Sequence, residues 1–185
     1  MPQPNFLFIG PDKTGSSWMY EIFRQHPQCY VSECKDIYFF DRYYDRGLNW
    51  YFSHFRKANS DVIAIGELSH DYLFSPLAAK RIHVDLPNVK LISCLRNPID
   101  RTFSHYLYLI RCGLTKLSFK EAIQTIPELI EHSLYYKHLS VYFSLFESSR
   151  IKILDFSDLQ ADSKVFAKEI FDYLNLSLLE SIDYS

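Results

Sequence analysis

The sequence has 185 residues, 48% hydrophobic and 23% charged, which suits one globular domain with a sizeable core and excludes a disordered tail. Twenty basic against 22 acidic residues leave a formal charge of −2, so no global field favours nucleic acid or an anionic membrane, and any anion site must be local. Fifteen Phe, 14 Tyr and 2 Trp beside only 5 Gly fit bulky packed layers and exclude a low-complexity or repeat chain.

The chain opens on polar residues, and the apolar run at 6–9 is too short for a signal-peptide core. No later run reaches the roughly 18 residues of a membrane span. A cytoplasmic protein without an integral membrane segment is the expectation. Short apolar runs at 5–9, 61–65, 89–94 and 150–156 predict buried strands. Helical spacing predicts helices over 16–26, 75–86 and 97–111, the last with Phe103, Tyr106, Leu107 and Ile110 on one stripe. Residues 27–60 fit neither template and carry nine aromatics between Tyr38 and Phe55; they read as an insert packed over a sheet, with core packing the role of most of the nine. Ser118 with Glu121 three residues later is a capping box for a helix over 118–126, which Pro127 ends. Further helices are predicted over 128–147 and 164–174. Strand and helix alternate with no Gly-, Pro- or Ser-rich linker, so the fold class is α/β: one domain over 1–185, a central parallel sheet flanked by helices, with ligands beyond the carboxyl ends of the strands.

The cysteines at 29, 34, 94 and 112 form no C-x-x-C pair and have no His at zinc spacing, so buried reduced thiols are expected and no metal. Chemistry concentrates in the loops that follow strands. The first strand runs into Gly10-Pro11-Asp12-Lys13-Thr14-Gly15-Ser16-Ser17-Trp18, where helical periodicity begins. Glycines for a tight turn, amides at a helix N-terminus, two hydroxyls and a Lys make a phosphate cradle. Its Lys stands two residues before the second Gly, not directly after it as in the nucleoside-triphosphatase loop. After the third strand comes Arg96-Asn97-Pro98-Ile99-Asp100-Arg101-Thr102-Phe103-Ser104-His105-Tyr106, with Asn97 an N-cap and Pro98 at the first helical position. A guanidinium at the strand end with a hydroxyl on the adjoining helix is a natural phosphate clamp.

Together these loops resemble the PAPS-dependent sulfotransferase superfamily, whose donor is 3′-phosphoadenosine 5′-phosphosulfate. The likeness extends through Tyr38-Phe39-Phe40-Asp41, Gly47-Leu48-Asn49-Trp50-Tyr51, Gly66-Glu67-Leu68-Ser69-His70-Asp71-Tyr72 and Ser133-Leu134-Tyr135, and is greatest to the glycosaminoglycan (heparan sulfate) branch. The resemblance implies a P-loop-like sulfotransferase fold and transfer of a sulfuryl group to a hydroxyl, or an amine, of a glycan, lipid or small metabolite. It makes Lys13 the contact to the 5′-phosphosulfate and its bridging oxygen and places the donor on Lys13, Thr14, Gly15, Ser16, Ser17 and Trp18. Arg96 and Ser104 then hold the 3′-phosphate, and Glu67 is the general base. His70 is the second choice of base, and His70 and Lys35 are expected on the acceptor side. Lys35, Arg42, Arg46, Lys80 and Arg81 could form a local basic patch. No metal or nucleic acid is implied, since Lys13 can neutralise a good leaving group.

Two departures stand out. Leu68 takes a position where the branch often has Lys, and the sequence reaches Ser185 without the basic, Gly-containing loop that closes over the nucleotide in relatives. The competing readings are an inactive relative kept as a binding module, and a P-loop-like kinase. The second is disfavoured by the Lys–Gly order and by the lack of a magnesium-binding carboxylate after a strand.

Overall fold

In the computed structural model, which describes all 185 residues, Phe6–Gly10 (β1) is buried on both faces and forms the middle of the sheet. Phe6 and Phe8 point into one core layer, Leu7 and Ile9 into the other, the pattern of a parallel strand covered on two sides. Ala64–Leu68 (β3) and Lys90–Leu95 (β4) flank it, while Cys29–Val31 (β2) and Ile151–Asp155 (β5) form the edges. The order is therefore β2-β3-β1-β4-β5, with every pairing parallel. One layer is built by Ser16–Gln25 (α1) and Ser163–Leu174 (α10). The other is built by Phe39–Arg42 (α2), Leu48–Ser53 (α3), Pro76–Asp85 (α4) and Tyr135–Leu145 (α8). After β3 the chain crosses to the far side of β1, which opens a crevice at the carboxyl ends of the central strands.

The predicted α/β class and most elements hold, and the differences have physical causes. Strand β2, missed in the aromatic insert, is three residues long and has no periodicity to read. Strand β3 begins three residues later than predicted, because the Asn5 side chain bonds both Ile63 O and Ile65 N and an Asn59-centred turn holds Asp61 out of the sheet. That shift draws Gly66 and Glu67 into the strand. The helix predicted over 128–147 is two, Glu128–Glu131 (α7) and α8. Within α7 the Leu129 carbonyl accepts from Arg101 and Thr102, and the Glu131 carbonyl is bonded by His138, so side chains occupy sites that helical amides would use. Pro98–Arg111 (α5) has the predicted bounds and the Asn97 cap, but its apolar stripe faces outward. Phe103, Leu107 and Ile110 are exposed, while Arg101 and Thr102 are buried. Phe119–Thr125 (α6) opens on the full Ser118–Glu121 capping box. Phe156–Ala161 (α9) follows β5 directly. No helix is long and apolar enough to cross a membrane.

Gly10 ends β1 with φ +122°, and a Cβ there would stand 2.0 Å from the His70 carbonyl oxygen. Only glycine lets the chain after β3 lie this close. Gly10→Ala adds backbone strain of roughly 1–3 kcal/mol to the clash. Its melting temperature is expected to fall by several degrees at least, and an unchanged melting curve would show that the two segments are not locked together.

Candidate active site

A cleft of about 1180 Å³ opens where the loops after β1 and β3 meet α1 and α5. Its floor is the phosphate cradle. Gly15, in the left-handed conformation at φ +86°, is the N-cap of α1, and no side chain caps the helix, so the first-turn amides remain available to an anion. Ser16 and Ser17 line the cleft. Thr14 and Trp18 do not. The Thr14 hydroxyl is buried and donates to Pro11 O at 2.7 Å, and Trp18 packs edge-on against Phe166, so any donor contact from these two is through the backbone.

Two lysines serve this floor. Lys13 is left-handed at φ +64°, and its ammonium lies 4.3 Å from the centroid of the Tyr108 ring; burial lowers its pKa, against the pull of Asp12. Lys35 reaches the cradle itself, donating to Ser17 Oγ at 3.1 Å and Ser16 Oγ at 3.3 Å. Lys35, expected on the acceptor side, thus stands at the start of α1 against Ser16 and Ser17. Arg96 donates to Lys13 O at 3.4 Å and stacks over Phe156 of α9, beside the loop; neither Arg96 nor Ser104 lines the main cleft.

The two base candidates are placed very differently. His70 lines the cleft, and its Nδ1 lies 2.8 Å from Asp36 Oδ1, with Tyr38 OH 3.2 Å from Nε2. Burial lowers the His70 pKa, but the hydrogen bond and charge of Asp36, with Asp71 and Asp12 behind it, outweigh this and raise it above the ordinary value. Burial likewise pushes Asp36 up, and His70 more than offsets this and holds it low. Glu67 is 1% exposed and turned into the core. Its Oε1 accepts from Tyr51 and Tyr72 at 2.8 Å each, and its Oε2 accepts from Ser69 at 2.9 Å. Burial pushes its pKa up to about 7, with the three hydroxyl donors opposing.

Sequence reasoning missed a second cluster. Asp12, His105 and His132 meet at one wall of the cleft around the fully buried Arg101, whose guanidinium donates to Asp12 Oδ1 at 3.1 Å and Leu129 O at 2.6 Å. Burial raises the Asp12 pKa, but the adjoining His132 and the charges of His105, Arg101 and His70 hold it well below the carboxylate range. Asp36 and Asp12 each adjoin a singled-out lysine, which was the only signal for them. The expected basic patch does not assemble at the cleft. Arg42 lines it but is bound to Asp71, Arg46 stacks on Trp50, and Arg81 stacks on Tyr44. None of the nine aromatics of 38–55 lines the cleft; Phe39, Phe40, Tyr51 and Phe55 are core, as expected of most of them. All four cysteines are free, but Cys34 and Cys112 are exposed, being on a surface turn and at the end of α5.

An open helix N-terminus with hydroxyls and a lysine can hold an anion, and the imidazole beside it, oriented by a carboxylate, can accept a proton. The sulfotransferase domain model matches residues 3–183, and the chain belongs to that family. It is 29% identical over 181 residues to human heparan sulfate glucosamine 3-O-sulfotransferase 6, which covers 94% of this chain and 52% of that protein. Over 110 residues it is 36% identical to the membrane-associated sulfotransferase kil1 of Dictyostelium discoideum, covering 58% of this chain and 23% of that one. The chain therefore spans about half the length, or less, of these curated relatives. A sulfotransferase structure from Alicyclobacillus acidocaldarius superposes with a TM-score of 0.91 at 27% identity, covering 100% of this chain and 86% of that one. Mouse sulfotransferase SULT7A1, solved with PAP, shares the fold at a TM-score of 0.65 and 14% identity, covering 98% and 62%.

Glu67 makes the stability pH-dependent. Its folded pKa lies above the unfolded value of about 4.5, so its contribution is complete below pH 4.5 and is lost as pH rises through about 7. The loss is on the order of 3 kcal/mol. Calorimetry at pH 5 and pH 8 is expected to show wild type losing more stability than Glu67→Gln over this interval; parallel losses would show that Glu67 is ionised throughout.

Proposed function

We propose that this chain transfers the sulfuryl group of 3′-phosphoadenosine 5′-phosphosulfate to an acceptor hydroxyl, or amine, with His70 as the base nearest the reaction. The observation that carries this reading is the meeting of two devices in one cleft: the uncapped helix start with Lys35 on Ser16 and Ser17, and His70 held by Asp36. Family membership supports the reaction class, and the solved relative bound to PAP supports the donor.

The donor's 5′-phosphosulfate fits the amides of Gly15 to Ser17, with Lys35 and Lys13 supplying charge for the leaving phosphate. Arg96 and Ser104 are assigned to the 3′-phosphate on the motif. His70 lines the cleft with Nδ1 on Asp36 and Nε2 3.2 Å from Tyr38 OH and 3.4 Å from Asp71 Oδ1, so it takes the acceptor proton at Nε2 once the acceptor displaces these contacts, while Asp36 stabilises the imidazolium that forms. Glu67 is the base the resemblance implies; its carboxylate is linked toward the cleft only through Ser69, and its three hydroxyl partners suit an anchor of the strand end. The relatives named for heparan sulfate support a sugar as acceptor. The cleft itself has Asp12, Asp36, Asp71 and Glu128 against Lys13, Lys35, Arg42 and Arg111, a balance that suits an acceptor of low charge better than a heavily sulfated polymer.

Turnover of labelled donor over a panel of acceptors, with calorimetry of 3′-phosphoadenosine 5′-phosphate, tests the reading. His70→Ala is expected to keep nucleotide binding and to lose roughly a hundredfold to ten-thousandfold in kcat. The rate of wild type should rise with pH as the imidazolium gives up its proton. Asp36→Asn removes the charge that raises the His70 pKa, so this acidic limb should move to lower pH. Full activity in His70→Ala with loss in Glu67→Gln would return the base to Glu67, and nucleotide binding without turnover on any acceptor would make the chain a binding module.

Lys35→Ala is expected to weaken nucleotide binding by about tenfold to a hundredfold, the value of one charged hydrogen bond to phosphate. Unchanged binding, with only the Michaelis constant for acceptor raised, would place Lys35 on the acceptor side.

A further inference from the structure

Three residues far apart in sequence, Asp12 after β1, His105 on α5 and His132 between α7 and α8, bring their ligating atoms within 4.8 Å of one another. We infer that they form a site for one divalent transition-metal ion of the zinc or cobalt type, set in the wall of the cleft.

Four features carry this. The spacing is close to that of a bound site: Asp12 Oδ2 lies 3.5 Å from His105 Nδ1, and Asp12 Oδ1 lies 3.8 Å from His132 Nδ1. Ligands held at metal–nitrogen distances of 2.0–2.1 Å in a tetrahedron stand about 3.3 Å apart, so a small closure suffices. His132 Nδ1 is buried and has no hydrogen-bond partner, Asp12 Oδ1 standing 3.8 Å away, beyond hydrogen-bond reach. The plane of that ring is fixed by Phe74, stacked on it at 3.6 Å and 10°. Finally, His105 Nδ1 lies 3.2 Å from Arg101 NH1, a group that can only donate, so this nitrogen is the unprotonated one, its lone pair held by the guanidinium until an ion displaces that contact.

Arg101 is the competing cation and also the support. It holds Asp12 through Oδ1 and leaves Oδ2 free, the kind of outer contact that orients a ligating carboxylate. A metal on His105 Nδ1 displaces one guanidinium contact and leaves those to Asp12, Ser133 and Leu129. Two imidazoles and one carboxylate select zinc-like ions over magnesium or calcium, and three protein ligands leave a coordination position open. All three ligands line the cleft beside Lys13, so the ion adds positive charge where the donor is proposed to bind; the site itself does not depend on that reading.

Calorimetry with Zn²⁺ and visible absorption with Co²⁺ test it, in the Cys34→Ser, Cys112→Ser protein, since both exposed thiols compete for these ions. One equivalent is expected to bind without competition from Mg²⁺. His105→Ala and His132→Ala should each weaken it by at least about tenfold to a hundredfold, and His70→Ala should leave it unchanged. His132→Gln, which keeps volume and polarity, replaces His132→Ala if circular dichroism shows that variant unfolded. Absence of one-to-one binding, or affinity unmoved by both His132 substitutions, overturns the inference and leaves Arg101 as the sole counter-charge of Asp12.

Discussion

The buried ion pair between Arg101 and Asp12 is the constraint on which the cleft end of the molecule depends. A guanidinium without solvent must be neutralised and must place nearly all its donors, or the charge costs several kcal/mol. Here Nε goes to Ser133, NH1 to Asp12 and His105, and NH2 to Leu129 and Glu128. Those partners come from the loop after β1, from α5, and from α7 with the turn that follows it, so one side chain fixes three parts of the chain at once. Asp12 immediately precedes Lys13, which is held in the left-handed region a non-glycine residue occupies only when its surroundings over-determine it.

The same pair explains where sequence periodicity misled. The 3.6-residue stripe of Phe103, Leu107 and Ile110 is real, yet α5 is oriented by the need to bury Arg101 and Thr102, and the stripe is left in solvent. Periodicity weighs apolar area at roughly 25 cal/mol per Å² and is blind to a guanidinium that a carboxylate elsewhere can neutralise. The break after α7 has the same origin, since the Leu129 carbonyl is claimed by Arg101 and Thr102. Local chemistry was legible by contrast: Asn97, Pro98, Ser118 and Glu121 mark helix starts through bonds that close within three residues.

The site was half legible for the same reason. Gly15, Ser16 and Ser17 act through a single turn and can be read from their order. Lys35, His70, His105 and His132 act across the sheet, and only the fold reveals which loop each one meets. Glu67 shows the limit from the other side. The motif marks its position, but its burial follows from β3 starting at Ala64, a shift set by Asn5 just before β1.

Strain in the backbone converges on the cleft in a way that joins its two halves. Of the four non-glycine residues with positive φ, Asn175 caps α10, while Lys13, Asp36 and Tyr38 surround the site. The 36–38 segment is pinned by β3, Asp36 N–H donating to Leu68 O and Tyr38 N–H to Ser69 Oγ, and Ser69 N–H donates in turn to Phe8 O of β1. Because Asp36 is left-handed, two consecutive side chains serve one cleft: Lys35 reaches the phosphate cradle and Asp36 reaches His70. His70 is itself pressed against Gly10, the residue from which the cradle loop departs. The cation at the cradle and the carboxylate on His70 are therefore adjacent residues on one pinned turn. The proposed in-line transfer would need this rigidity, because an ångström of slack between donor and base forfeits much of what orientation contributes.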